Sequence, residues 1–392
     1  MRTALANGRI LTADGIVTGH VLLLAGGRIE ALVDPSDPRC RDARVEDLGG
    51  QRLVPGFVDI QVNGGGGVSF NDDPGPDSIG AIGAAHRQFG TTGFLPTIIS
   101  DDVGTIGRAI EAVQASIDQM LPGVLGIHIE GPFLNRARRG VHDARHLRSL
   151  GADLVPLLCS LRGGRTLLTL APEMTTPDVI GQLVDAGIIV AAGHSNATFA
   201  EMEVAIARGL RGFTHLFNAM SPLTPREPGV VGAALYDEST WCGIIVDGHH
   251  VDPVSLKIAL RCKRHDRFVL VTDAMPTVGS AATSFVLQGR TIHVVDGVCR
   301  DEHGTLAGTS LDMATAVRNA IALLGVDFAG AVRMASEYPA EFLGLGHELG
   351  RIAAGYRANL ALLDDELQVR RTWIDGSSSL QAAKPPGQAG GC

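Results

Sequence analysis

The chain reads as an α/β protein: a (β/α)8 TIM-like barrel with a small β-sandwich domain formed from the N- and C-terminal segments. Three observations lead there: eight short apolar runs recur between residues 53 and 272, helix-like stretches separate most of them, and short alternating segments appear at both ends. Strands that are apolar on both faces and alternate with helices belong to a parallel sheet, and eight such units close it into a barrel. A doubly wound open sheet is the competing arrangement. In either one, ligands bind at the carboxyl ends of the strands.

Residues 1–52 carry TALANGRILT and GHVLLLAGGRIEALV, alternating segments broken by Asn-Gly and Gly-Gly, which mark β-hairpins. The same style returns over 348–376 in ELGRIAAGYRANLALLDDELQVRRTWIDG, so both flanks are assigned to one sandwich and residues 53–347 to the barrel. The barrel runs are LVPGFVDIQV (53–62), GFLPTII (93–99), GVLGIHI (123–129), TLLTLA (166–171), GIIVAAG (187–193), GFTHLF (212–217), CGIIV (242–246) and FVLVT (268–272). Helical spacing follows several of them, in SIGAIGAAHRQF, VGTIGRAIEAVQASIDQM, TPDVIGQLVDAG and TFAEMEVAIARG. Residues 377–392 are mostly Ser, Ala, Pro and Gly with almost no large apolar residue, and disorder is expected there.

With 392 residues, 45% apolar and 19% charged, the chain can bury one large core plus a small appended domain. A net charge of −9 without a Lys/Arg block argues against nucleic acid or an anionic membrane as partner. No apolar run approaches the roughly 18–20 residues of a membrane helix, and MRTALANGRI lacks the features of a secretory leader, so a cytoplasmic location is expected. Six cysteines without a CxxC pair suggest neither a disulfide framework nor a zinc ribbon.

Function points to the strand ends. GIHIEGPFLN closes a buried run on the charged Glu130, which is costly unless a cation or a proton compensates. Gln61 and Asn63 end the first run, Glu173 follows the fourth, His194 the fifth, His215 lies in the sixth, Asp247, His249 and His250 follow the seventh, and Asp273 the eighth. Any one of them has a plain structural account. Their coincidence at the same end of so many strands is harder to explain that way. One Glu and two His make a mixed oxygen and nitrogen shell suited to Zn²⁺ or Fe²⁺, with a coordination position left for water.

Nine patches, in order, carry a family likeness: PGFVDIQVNGGGG, HIEGPFLN, GVHD, GHSNAT, THLFNAM, REPGVVG, VDGHHVDP, VTDAM and AGTSLDM. Together they resemble the N-acetylglucosamine-6-phosphate deacetylases of the amidohydrolase superfamily over about residues 50–345. The resemblance implies hydrolysis of the acetamide of N-acetylglucosamine 6-phosphate. It implies Glu130, His194 and His215 as ligands of one divalent metal per subunit, zinc foremost with Fe²⁺ as the next choice, and Asp273 as catalytic acid and base. It further implies His142 polarising the substrate carbonyl, Asn218, Ala219, His250 and Arg226 binding sugar and phosphate, and a homodimer in which Arg226 reaches the neighbouring site.

The chemistry agrees with those roles. Amide hydrolysis needs an activated water, a polarised carbonyl and a proton for a poor leaving group; a divalent cation beside a carboxylate supplies all three. An arginine such as Arg226 offers phosphate a bidentate fork, whereas Arg136, Arg138 and Arg139 read as a solvated loop face. Many amidohydrolases carry His-x-His on the first strand and a second metal with it. Here Gln61 and Asn63 stand in that place, and amides are feeble ligands, so a single metal is expected. Gly64 to Gly67 reads as a flexible turn beside the site, and 276–306 as either a lid or a decorative hairpin. Two other functions stay open: a sibling amidohydrolase for another N-acylated amino sugar or cyclic amide, and a catalytically silent barrel acting as a scaffold.

Overall fold

All eight apolar runs contribute a strand to one parallel sheet in the computed structural model, which describes residues 2–380. We label the barrel strands β1 (Phe57–Val62), β2 (Thr91–Ile99), β3 (Gly126–Glu130), β4 (Arg165–Leu170), β5 (Ile189–Ala192), β6 (Gly212–Phe213), β7 (Trp241–Ile244) and β8 (Phe268–Leu270). Each pairs in parallel with the next. The ring closes through a short seam just past β8, where Asp273 N–H donates to Gln61 O (3.0 Å) and Asn63 N–H to Ala274 O (2.9 Å). β1, β2 and β3 are buried at every position, because helices cover the outside while side chains fill the lumen.

The helices start where the sequence supplies caps. Asp102 accepts from Thr105 N–H at the head of Val103–Asp118, and Thr176 from Val179 N–H before Pro177–Asp185. Thr198 and Glu201 form a reciprocal capping box that launches Phe199–Ala207 directly after the GHSN turn. No helix among the described residues is long and apolar enough to cross a membrane.

The two ends of the chain build two further sheets. One has four strands, in the order Arg28–Val33, Val21–Ala25, Thr3–Ala6 and Arg44–Asp47. The other has six: Ser377–Leu380, Val369–Ile374, Leu360–Leu363, Arg52–Pro55, Arg9–Thr12 and Gly15–Val17. A separate apolar core with Leu5, Leu22, Leu53, Leu360 and Trp373 lies among these strands.

Two expected boundaries move. The run 53–62 splits at Gly56, and Arg52–Pro55 joins the six-stranded sheet instead of the barrel. A Cβ at Gly56 would stand 2.1 Å from Thr92 Oγ1, so only glycine lets the chain pass from one sheet to the other there. At the other end, Ser377–Leu380 is a strand paired with Val369–Ile374, four residues into the segment expected to lack structure. The cause is the Asp375-Gly376 turn, with φ of +47° and +72°, which returns the chain as a hairpin. The expected disorder of 381–392 lies outside the described residues.

Gly126 opens β3 at φ +151°, where a Cβ would lie 1.9 Å from the carbonyl oxygen of Arg165 on the neighbouring strand. Backbone on both sides leaves no flexible atom to give way. Gly126→Ala is expected to cost about 3 kcal/mol or more in a denaturant titration; a loss under about 1 kcal/mol would contradict this packing.

Candidate active site

Four of the candidate side chains stand on bends that end barrel strands. Glu130 is the last residue of β3, and Gly131 (φ +91°) turns the chain away behind it. His194 and His215 each follow their strand by two residues, and Asp273 follows β8 by three. Their φ angles are +50°, +34° and +51°, left-handed values that non-glycine residues avoid at a cost of order 1–3 kcal/mol each. Phe217 and Ala219, beside His215, are also left-handed, at +79° and +53°. Such a bend turns each side chain inward over the mouth of the barrel.

Three donor atoms meet there. Glu130 Oε1 lies 3.1 Å from His194 Nε2 and 3.0 Å from His215 Nε2, and the two nitrogens are 3.0 Å apart. His194 Nδ1 is 2.8 Å from the carbonyl oxygen of Arg138; a carbonyl only accepts, so Nδ1 carries the proton and neutral His194 presents a bare lone pair at Nε2. Lone pairs of a carboxylate and an imidazole do not sit 3.1 Å apart without a positive charge between them. Burial disfavours a charged His215, yet its contact with Glu130 raises its pKa; burial likewise opposes ionised Glu130, and the two imidazoles pull its pKa well down. The pocket therefore calls for a cation or an extra proton. Ligands about 2.0–2.2 Å from a shared ion stand roughly 3 Å apart, and an O,N,N set suits a borderline divalent metal, so these residues fit one. Among the described residues, Glu130, His194 and His215 are the group of three with this capacity.

Asp273 is held by two amides. Gln61 Nε2 (3.1 Å) and Asn63 Nδ2 (2.6 Å) both donate to its Oδ1, and Gln61 Nε2 also donates to Glu130 Oε2 at 3.0 Å. Gln61 and Asn63 thus fix the two carboxylates by hydrogen bonds. Burial first, and then the nearby Glu130, push the Asp273 carboxyl up to about 6. Two residues before Gln61, fully buried Asp59 accepts from Thr272 Oγ1 at 2.5 Å and from Gln61 N–H at 3.2 Å, bracing the seam beneath Asp273. Burial pushes its carboxyl up to about 7.

His142 comes in from the loop after β3, buried, with its ring 4.4 Å from that of His194. Its Nδ1 accepts from Ser100 N–H (3.3 Å) and lies 2.7 Å from Ser100 Oγ, which leaves the ring proton on Nε2. Burial and the neighbouring His194 hold its pKa well below the usual value, so the ring is neutral.

A cavity of about 340 Å³ opens above these groups, and Asn63, His142, Asn218, Ala219, His250 and Asp273 are among its walls. His250 is anchored through Nδ1 to Asp247 Oδ2 at 2.6 Å. Arg226 is not in this wall; it lies exposed on the loop that precedes the helix Gly229–Tyr236 and has no ion-pair partner among the described residues. Arg138, read from the sequence as part of a solvated face, does line the cavity, with Nε donating to Asn196 Oδ1 at 3.0 Å. The turn Arg136–Arg138 folds back over His194, a long-range event that a run of arginines does not announce. The excursion after β8 forms an antiparallel sheet (Ser284–Leu287, Arg290–Val295, Val298–Arg300, Leu306–Thr309) whose Thr305, Leu306 and Gly308 roof the cavity. Gln288 and Arg290 donate to the carbonyls of Ser100 and Val141 and tie this roof to the His142 loop. Gly64 to Gly67 is a tight hairpin packed on Pro276 and His86 rather than a loose turn.

Residues 52–382 match the amidohydrolase family. The N-acetylgalactosamine-6-phosphate deacetylase of Shewanella sp. (strain ANA-3) is 47% identical over 84% of each chain. The N-acetylglucosamine-6-phosphate deacetylase of Haemophilus influenzae is 35% identical over 96% of this chain and 99% of its own. Among solved structures, the N-acetylglucosamine-6-phosphate deacetylase from Pasteurella multocida matches with a TM-score of 0.93 at 36% identity, covering 97% of this chain and all of that one. A mutant of the Mycobacterium smegmatis deacetylase in complex with N-acetyl-D-glucosamine-6-phosphate matches at a TM-score of 0.88 and 31% identity, over 97% of this chain and 100% of its own.

Asp59 gives a pH test. A carboxyl raised from 3.8 to about 7 holds its proton in the folded chain and releases it in the unfolded one, so the stability it contributes is complete below pH 4 and disappears as pH rises to 7. An amide at this position keeps an acceptor for the backbone N–H groups and has no charge to bury. Asp59→Asn should therefore gain on the parent chain by about 1–3 kcal/mol between pH 4 and pH 8 in denaturant titrations. A difference independent of pH would show that Asp59 is ionised without penalty.

Proposed function

Because the chain belongs to the amidohydrolase family, we propose that it hydrolyses the acetamide of an N-acetylhexosamine 6-phosphate, N-acetylglucosamine 6-phosphate foremost, releasing acetate and the amino sugar phosphate. The observation that carries the proposal is the meeting of Glu130, His194 and His215 beside Asp273 at the floor of the cavity. In this reading the three residues hold one divalent ion, zinc before Fe²⁺. Such an ion, when bound, lowers the pKa of a coordinated water and polarises a carbonyl.

The other steps belong to the protein. Asp273 has Oδ1 occupied by two amide donors, which leaves Oδ2 to take the proton of the attacking water and hand it to the departing nitrogen. A pKa raised toward neutrality lets one carboxyl perform both transfers. The Nε2–H of His142 donates to the carbonyl oxygen as negative charge develops on it; a neutral ring gives a hydrogen bond there without adding a charge beside His194. Asn218, the backbone at Ala219 and His250 bind the sugar. For the phosphate we assign Arg138 from the chain's own loop, and Arg226 from a second copy in a homodimer, since Arg226 is exposed and lies outside its own cavity. The cytoplasm is the proposed compartment, because a sugar phosphate is charged and does not cross a membrane unaided.

One observation favours a second substrate for the same reaction: the relative at 47% identity is named for N-acetylgalactosamine 6-phosphate, the C4 epimer. Acetate release from both sugar phosphates, measured with and without chelator, tests the proposal. Expected are turnover that a chelator abolishes, a loss of a thousandfold or more in kcat for Asp273→Asn with KM little changed, and a raised KM for Arg138→Ala. Undiminished turnover by Asp273→Asn would remove the proton shuttle. Turnover of neither sugar phosphate by the metal-loaded parent would remove the function.

A further inference from the structure

We infer that Glu173 is a positioning residue for His194, holding the imidazole at the proposed metal centre without touching ion or substrate; the inference rests on that reading of the centre. Glu173 sits in the short turn Pro172–Met174 just beyond β4. Its Oε2 accepts from Ser195 Oγ at 2.7 Å. Its Oε1 accepts from the backbone N–H of Asn196 at 2.6 Å and from Asn135 Nδ2 at 3.0 Å.

These partners lie on both sides of one imidazole. Ser195 and Asn196 directly follow His194, so two of the bonds clamp the backbone that holds His194 at φ +50°. Asn135 heads the turn Arg136–Arg138, where its Oδ1 accepts from Ala137 N–H at 2.8 Å. That turn ends on the Arg138 carbonyl that accepts from His194 Nδ1. A closed circuit results, from Glu173 through Asn135 to the Arg138 carbonyl, across the ring of His194, and back through Ser195.

The circuit does two jobs that a metal ligand needs. It turns the ring so that Nε2 faces Glu130 and His215, and it keeps the ring proton on Nδ1. Were the Arg138 carbonyl to drift, the proton could pass to Nε2 and cap the lone pair that coordinates. A carboxylate suits the hub because all three of its partners are donors and it only accepts. A carboxamide has one acceptor oxygen and an NH₂ that would face a donor, so Glu173→Gln breaks one arm of the circuit while keeping the shape.

The test is Zn²⁺ affinity, measured by competition with a chromophoric chelator for the parent chain, Glu173→Gln and Asn135→Ala, beside melting curves of the metal-free proteins. Asn135→Ala cuts the same circuit on a partly exposed turn and decides the matter if the Gln variant does not fold. Expected is a 10–100-fold weaker Kd for the variants with the metal-free Tm little changed. Parent and variants binding Zn²⁺ equally tightly would overturn the positioning role alone. A parent chain that binds no divalent ion would overturn the metal centre itself.

Discussion

Everything at the mouth of this barrel is arranged around a deficit of positive charge. Three electron-rich atoms, one carboxylate oxygen and two imidazole nitrogens, stand about 3 Å apart in a buried pocket, and the carbonyl of Arg138 commits the proton of His194 to the far side of its ring. In a low-dielectric site such an arrangement is stable only with a cation or an extra proton at its centre. The left-handed bends at His194, His215 and Asp273 are strain of order 1–3 kcal/mol each, maintained by the surrounding bonds so that the donors converge.

The neighbouring groups follow from the same constraint. Glu130 and Asp273 would repel each other, and the amide of Gln61 separates them by donating to both. Asp59, held by Thr272, braces the closing seam at the point where the strand ladder is reduced to a single bridge. The amides of Gln61 and Asn63 converge on one oxygen of Asp273, so its other oxygen carries neither of these bonds. A barrel suits this design because each strand end is fixed by the strands beside it, and the bends can be set independently.

Much of this was legible in the sequence, for a definite reason. Strands buried on both faces must be apolar throughout, so eight runs stood out, and a polar residue closing such a run marked Glu130, His194, His215 and Asp273. Local turn chemistry is legible too, and the Asp375-Gly376 turn makes Ser377–Leu380 a strand where composition alone predicts a tail. What stayed hidden was decided by contacts between distant segments. Asp59 reads as one more residue of an apolar strand, and only the seam partner Thr272 gives it meaning. Arg138 looks like its exposed neighbours until the loop folds over His194, and Glu173 looks like a strand-end acid until Asn135, Ser195 and Asn196 close on it. The roofing sheet was visible as alternation, but its place over the cavity depends on Gln288 and Arg290 finding carbonyls on other loops.

The central claim is that the triangle of Glu130 Oε1, His194 Nε2 and His215 Nε2 exists to bind one cation. Anomalous diffraction from crystals of the metal-loaded protein, collected on both sides of the zinc absorption edge, tests it most directly. A single peak per chain within about 2.0–2.2 Å of all three atoms is the predicted result. Full zinc loading with the peak elsewhere, for example at Asp247 and His250, and none inside the triangle, would contradict the account.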